Sequence, residues 1–86
     1  MERQEIEVFL VLAEELHFAR TAERLRVSAA TISQTIAKLE RLFGAPLFHR
    51  TTRRVELTPL GRQLLDDLRP AHAGPGRDRT GDRSGA

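Results

Sequence analysis

Two short amphipathic runs, FARTAERL at residues 18–25 and SAATISQTIAKLERLF at residues 28–43, are separated only by Arg26-Val27, and that spacing limits the fold more than any other feature of the chain. In the first run Phe18, Ala22 and Leu25 share one side of a helix. In the second, Ile32, Ile36, Leu39 and Phe43 recur at spacings of four, three and four, the periodicity of a helix packed on a core. Arg26-Val27-Ser28 leaves room for a tight turn, with small Ala22 at the closest approach and Ile32 and Ile36 holding the second helix on the first. Two helices so joined form a helix-turn-helix. Ser28 is the expected N-cap of the second helix. Arg26 falls at the turn position that favours glycine, where a positive φ carries some strain.

The flanking segments complete a small fold. Residues 2–16 read as a helix with Ile6, Phe9, Leu10, Ala13 and Leu16 in a stripe and glutamates in the first turn, where the helix dipole favours them. Val8, Val11 and Leu12 widen the stripe beyond one face. Either this helix is buried on most sides, or its second apolar face meets a sister subunit, and an 86-residue chain has little interior for the first option. Gly44 stands where the third helix should end, and Pro46 prevents its resuming. Leu47-Phe48 and Val55-Glu56-Leu57 are short strand candidates, and the polar HRTTRR of residues 49–54 between them has the length of a hairpin loop, forming a wing. Thr58 and Pro59 make an N-cap and first-turn pair for a fourth helix carrying Leu60, Leu64, Leu65 and Leu68.

Pro70 is expected to end that helix, and the Pro, Gly and charge-rich residues 70–86 read as a disordered tail. The expected fold is mainly α: a winged helix-turn-helix with a three-helix core, a two-stranded wing and a short linker helix. The chain divides into residues 1–57 as the binding domain, 58–69 as the linker and dimerisation helix, and 70–86 as tail.

Charge singles out one region for a partner. Residues 1–17 carry five glutamates against one arginine, whereas residues 18–54 carry eight Lys and Arg against two glutamates, and residues 55–86 carry five of each sign. A basic middle beside an acidic first helix points to a polyanion met by one part of the surface. The chain has no cysteine, no apolar run near the length of a membrane span and an acidic rather than basic start, so a cytoplasmic protein without membrane contact is expected. His17, His49 and His72 are scattered, and Asp66-Asp67 reads as a solvated helix face. No catalytic constellation, metal site or cofactor is expected.

On the third helix Ala30, Ser33, Gln34, Ala37, Lys38 and Arg41 lie away from the apolar stripe. A merely solvated face more usually carries Glu and Lys pairs. Here small residues permit close approach to a surface, Gln34 can pair bidentately with an adenine edge, and Lys38 one turn on can reach a phosphate. An alanine methyl at position 29 or 30 can touch a thymine methyl. In the wing, Arg50, Arg53 and Arg54 with Thr51 suit backbone or minor-groove contact. Lys38 and these three arginines, engaged in both copies of a dimer, predict a fall of log K with log salt at a slope near about −7.

Residues 18–61 resemble the N-terminal winged helix-turn-helix of LysR-type transcriptional regulators. The resemblance rests on A-x-x-L-x-V-S at Ala22–Ser28, S-x-x-I-x-x-L-E at Ser33–Glu40, G-x-P-L-F-x-R at Gly44–Arg50 and L-T-x-x-G at Leu57–Gly61. With the first helix it covers about residues 2–68. It implies sequence-specific binding of double-stranded DNA at an imperfect palindrome in a promoter. By it, Ser28, Ala30, Ser33 and Gln34 meet base edges and nearby phosphates, while Lys38, Arg50, Thr51 and Arg53 hold the backbone; beside these, Ala29 is expected at the bases and Ser28, Thr31 and Arg54 at phosphates. Ala29 and Gln34 replace the family's usual glutamine and arginine, so no particular operator carries over. The resemblance also implies a homodimer in which the fourth helix meets its counterpart and the first helix, with Val8, Leu12, Leu60, Leu64 and Leu68 at the interface. Family members continue into a ligand-sensing domain, but this chain turns to Pro and Gly at residue 70, so no small-molecule effector site is expected in it. It reads as a DNA-binding fragment or a natural short form. The competing reading is a protein-interaction module that heterodimerises with a full-length regulator and blocks it. Such a module has no need of Gln34, Lys38 and an arginine wing on one side.

Overall fold

The computed structural model describes residues 1–73, with side chains through Arg69. Three helices come first, α1 (Arg3–Glu15), α2 (Phe18–Leu25) and α3 (Ala29–Phe43). A two-stranded antiparallel sheet of β1 (Phe48–Arg50) and β2 (Val55–Leu57) follows, and α4 (Pro59–Ala73) closes the order. This is the mainly helical winged architecture expected from the sequence.

The core lies where α1, α2 and α3 meet. Phe9, Leu12, Ile32, Ile36, Leu39 and Leu47 are fully buried, and the Phe9 and Phe48 rings pack with centroids 5.5 Å apart and planes tilted by 54°. Burying each such side chain stabilises the fold by about 1.5–3 kcal/mol, which accounts for most of the cohesion available to so short a chain. Phe43, the last member of the expected stripe, is instead 41% exposed, because α3 outruns the core by its final turn.

The turn between α2 and α3 has the expected geometry. Arg26 sits in the left-handed region at φ 59°, and Val27 N–H donates to the Ala22 carbonyl at 3.0 Å. Ser28 Oγ accepts from Thr31 N–H at 3.1 Å as the N-cap of α3. Gly44, at φ 73°, ends that helix. A second left-handed residue, Leu16 at φ 52°, ends α1, and nothing in the local sequence announces it. His17 then caps α2, with Nδ1 accepting from Arg20 N–H at 3.2 Å.

Four expectations need correction. Val8, Leu12 and Leu64, assigned to an interface between copies, are all buried within one chain, at 2%, 0% and 7% exposure. The three-helix core takes up α1's second apolar side because α1 packs on both α2 and α3 as well as meeting α4. The first strand runs Phe48–Arg50 rather than Leu47–Phe48, in register Phe48↔Leu57, His49↔Glu56 and Arg50↔Val55. Leu47 stays outside the strand because its N–H donates to the Glu40 carboxylate at 2.8 Å instead of across to Thr58, although its carbonyl still accepts Thr58 N–H in register at 3.0 Å. The loop is accordingly Thr51–Arg54 and not HRTTRR. Finally, α4 continues through Pro70 to Ala73, so its expected end at residue 69 falls four residues short. A helix tolerates an interior proline at a cost of about 3 kcal/mol, with one N–H missing from the ladder. The rest of the expected disordered tail, residues 74–86, lies outside the described residues.

Gly61 fixes how α4 leaves the wing. A Cβ there would stand 2.1 Å from the Leu47 carbonyl oxygen, so only glycine permits the approach. Thr58 caps the helix beside it, its Oγ1 accepting from Gly61 N–H at 3.0 Å and its hydroxyl donating to the Pro46 carbonyl at 2.8 Å. The L-T-x-x-G run is thus a joint between wing and helix.

Candidate nucleic-acid interface

The side of α3 opposite its buried residues repeats their spacing. Ala30, Gln34, Ala37 and Arg41 follow one another at four, three and four; Ala30, Gln34 and Arg41 are exposed and Ala37 half-buried. Ala29 is exposed at the first turn. Ser33, half-buried, lies on the flank of Glu40, two turns ahead of it. The result is a strip of small side chains with one long amide, Gln34, near its middle and a cation, Arg41, toward its end. A surface of that relief lets another molecule approach the helix backbone closely and meet a donor–acceptor pair there.

Thr31 and Ser28 are tied together at the start of the strip, with their hydroxyl oxygens 3.0 Å apart. Both side chains therefore serve the helix cap first. Lys38 departs further from its expected role. It stands one turn beyond Gln34 on the ridge Ala30–Gln34–Lys38, but its ammonium lies 2.5 Å from Glu5 Oε2 on α1. The contact with Lys38 holds the Glu5 carboxyl below its ordinary value, helped by Glu2 N–H, which donates to Glu5 Oε1 at 3.1 Å. The same contact raises Lys38. A cation expected to be free for a phosphate is engaged within the chain.

The wing is held at both ends. At its base the Glu40 carboxylate accepts from Leu47 N–H at 2.8 Å and Phe48 N–H at 3.3 Å, fastening β1 to α3. Arg50 stacks its guanidinium 4.3 Å above the Phe18 ring, fastening the strand to the start of α2. At the tip Thr51 N–H donates to the Arg54 carbonyl at 2.9 Å, and Thr51 Oγ1 accepts from the N–H groups of Arg53 and Arg54 at 3.2 and 3.1 Å. Thr51 thus shapes the loop. Arg54 pairs with Glu56 at 2.9 Å, whereas Arg53 is exposed and has no ion pair among the described residues. The tip rests beside the corner of α1 and α2, across a cleft lined by Leu16, His17 and Phe18 on one wall and Arg53, Arg54 and Val55 on the other.

Of the residues singled out from sequence, the structure leaves Ala29, Ala30 and Gln34 exposed on α3 with Ser33 half-buried on its flank, and places Arg50, Thr51, Arg53 and Arg54 on the wing. It does not leave Lys38 free with them. Leu60 and Leu68 remain half-buried on α4. Two positioning residues escaped the sequence reading. Glu40 was legible only as the last letter of a motif, because its partners are backbone groups seven and eight residues away. Phe18 was read as a core residue, and the arginine above it lies 32 residues on. Arg24 braces α1 against α2 through Glu14 and Glu15, and these carboxylates raise its pKa, Glu14 foremost. His49 is exposed on β1, Asp66 and Asp67 are exposed on α4, and the His72 side chain lies outside the described ones. No described helix is long and apolar enough to cross a membrane.

Comparison with known proteins gives a consistent result. Residues 4–62 match the family described as bacterial regulatory helix-turn-helix protein, lysR family. Among curated proteins, the HTH-type transcriptional regulator IlvR of Caulobacter vibrioides is 49% identical over 73 residues, covering 85% of this chain and 25% of that protein. The uncharacterised HTH-type transcriptional regulator YnfL of Escherichia coli is 46% identical over 69 residues, covering 80% of this chain and 23% of its own length. The chain therefore spans about a quarter of the length of these relatives. Among solved structures, a LysR-family transcriptional regulator from Eggerthella lenta superposes with a TM-score of 0.75 at 37% identity, covering 79% of this chain and 97% of that one. A complex of the CbnR DNA-binding domain with DNA superposes at 0.79 with 37% identity, covering 98% and 94%.

Proposed function

Because the chain belongs to the LysR family of bacterial regulatory helix-turn-helix proteins, we propose that it binds duplex DNA sequence-specifically, as the DNA-binding part of a LysR-type transcriptional regulator. The observation that carries this reading is the uncovered strip of α3, Ala30, Gln34, Ala37 and Arg41, flanked by a braced arginine wing. A helix fits the major groove, and Gln34 offers the paired donor and acceptor that an adenine edge matches. Ala29, Ala30 and Ser33 approach neighbouring bases. Ser28 and Thr31 present the capped first turn to the backbone, and Arg50 and Arg53 hold phosphates.

The functional unit is a homodimer that places one α3 in each of two half-sites about one turn, roughly 34 Å, apart in an imperfect palindrome. Residues 1–57 form the reading unit. Helix α4 joins the copies through the apolar side chains that the core leaves half-buried, Leu60 and Leu68, with Leu10 and Val11 of α1. The protein works in the cytoplasm as a regulator and not as an enzyme.

With Lys38 and Arg54 engaged within the chain, two wing cations per copy remain for phosphates, Arg50 and Arg53. Four such contacts per dimer give a slope of log K against log salt of about −3.6, shallower than the sequence alone predicts. The test is fluorescence anisotropy of the chain with a promoter-derived duplex and a scrambled one across a salt series. A preference of about 10³ with that slope supports the reading. Gln34→Ala reduces the preference, through one position in each half-site, and Arg53→Ala weakens binding to both duplexes. Equal, weak binding to both, unchanged by either substitution, would instead favour a module that pairs with another regulator.

A further inference from the structure

Glu5 is an acidic residue on the first helix whose side chain is only 11% exposed, yet its partner Lys38 is 52% exposed and belongs to the same ridge of α3 as Ala30 and Gln34. We propose that Glu5 is a positioning residue that withholds Lys38 from the DNA backbone, so that the affinity of this chain is set below what its cations permit and rests more heavily on the bases. The inference presupposes the DNA-binding reading above.

Three observations carry it. The Lys38 ammonium lies 2.5 Å from Glu5 Oε2, so the amine is turned toward α1 and away from the outer strip. Glu5 is itself fixed, since its other oxygen accepts Glu2 N–H at 3.1 Å and its side chain is largely shielded from water. It cannot follow Lys38 outward without uncapping α1. The rest of the ridge is uncovered, so a released Lys38, one turn beyond Gln34, would reach the strand that borders the groove. A lysine so held makes a contact that depends on what stands at position 5, which sets the balance between binding any duplex and binding a chosen one.

The consequence is quantitative. Each phosphate neutralised adds about 0.9 to the salt slope, so freeing Lys38 in both copies moves it from about −3.6 to about −5.4. Over a fourfold rise in salt, each added contact makes affinity fall by about a further 3.5-fold.

The experiment measures binding of a fluorescein-labelled mixed-sequence duplex, about three turns long, between about 50 and 200 mM salt. The proteins are the natural chain, Glu5→Gln, Lys38→Gln and the double variant. Glutamine keeps an oxygen for Glu2 N–H, so the cap of α1 survives, and a thermal melt of each variant confirms folding. The expected result is a slope steeper by about 1.8 for Glu5→Gln, no change for Lys38→Gln, and a return to the natural slope in the double variant. The double variant separates a released lysine from the mere loss of a negative charge. A flattened slope in Lys38→Gln alone would overturn the proposal, since Lys38 would then already leave Glu5 on binding. So would an unchanged slope in Glu5→Gln. If the natural chain binds no duplex at any salt, the reading of function fails first; if it binds with the expected slope and Glu5→Gln matches it, only the role of Glu5 fails.

Discussion

Glu40→Ala tests how the wing is attached to the reading helix. The Glu40 carboxylate accepts two backbone N–H groups, Leu47 at 2.8 Å and Phe48 at 3.3 Å, and both donors belong to buried residues at the base of β1. A hydrogen bond to a charged group contributes about 1.5–3 kcal/mol, and the longer bond belongs at or below the low end of that range. Because Glu40 is only half-buried, water replaces part of the loss. The substitution should therefore destabilise the fold by about 2–3 kcal/mol. For a domain of this size that lowers Tm by roughly 10–20 °C, at 4–8 °C for each kcal/mol. Glu40→Gln keeps an acceptor without its charge and should lose about half as much. Urea denaturation followed by the helical circular dichroism signal gives these differences directly, with Glu23→Ala on exposed α2 as the control for removing a glutamate. A Glu40→Ala chain as stable as Glu23→Ala, within about 0.5 kcal/mol, would refute the claim that this carboxylate fastens the wing.

Other consequences follow from single contacts. Gly61→Ala places a Cβ 2.1 Å from the Leu47 carbonyl oxygen and should destabilise by more than about 2 kcal/mol in the same urea assay, since backbone must move on both sides. Arg26→Gly relieves a left-handed residue at φ 59° and should raise Tm, by an amount equivalent to about 1 kcal/mol. Glu5 titrates at its ordinary 4.5 in the unfolded chain and lower in the folded one, so its contribution to stability is complete above that value and is lost as pH falls through the lowered folded value. The difference in urea midpoint between the natural chain and Glu5→Gln should hence shrink as pH drops below about 4.5. Lys38, raised above 10.5, acts in the opposite sense and far from that window, its contribution being lost only as pH climbs through the raised value.

Periodicity was enough for α2 and α3, because two amphipathic runs joined by so short a turn leave few arrangements open. It also placed Ser28, Gly44 and Thr58 at helix ends, where their side chains or backbone freedom have a local use. What it did not reach were the consequences of packing. Val8 and Leu12 looked surplus to a small interior, yet the packing of α1 on its neighbouring helices buries them within the chain. The pairing of Lys38 with Glu5 joins residues 33 apart in sequence, and no local pattern signals that an acidic first turn will stand beside the third helix. The same limit hid Glu40 and Phe18, both of which act on partners contributed by another element. The exposed side of α3 was legible because exposure there follows from the helical repeat alone, whereas the state of each cation depends on which neighbours the fold brings within reach.

The central claim is that the outer side of α3 reads bases, and selection from a pool of randomised duplexes tests it most directly. The natural chain should enrich a motif of two related half-sites with centres about one helical turn apart. Gln34→Ala should lose preference at one position in each half-site, by about 1–3 kcal/mol, while keeping the others. A pool that enriches no motif, or a Gln34→Ala chain that enriches the same motif with the same preference at every position, would contradict it.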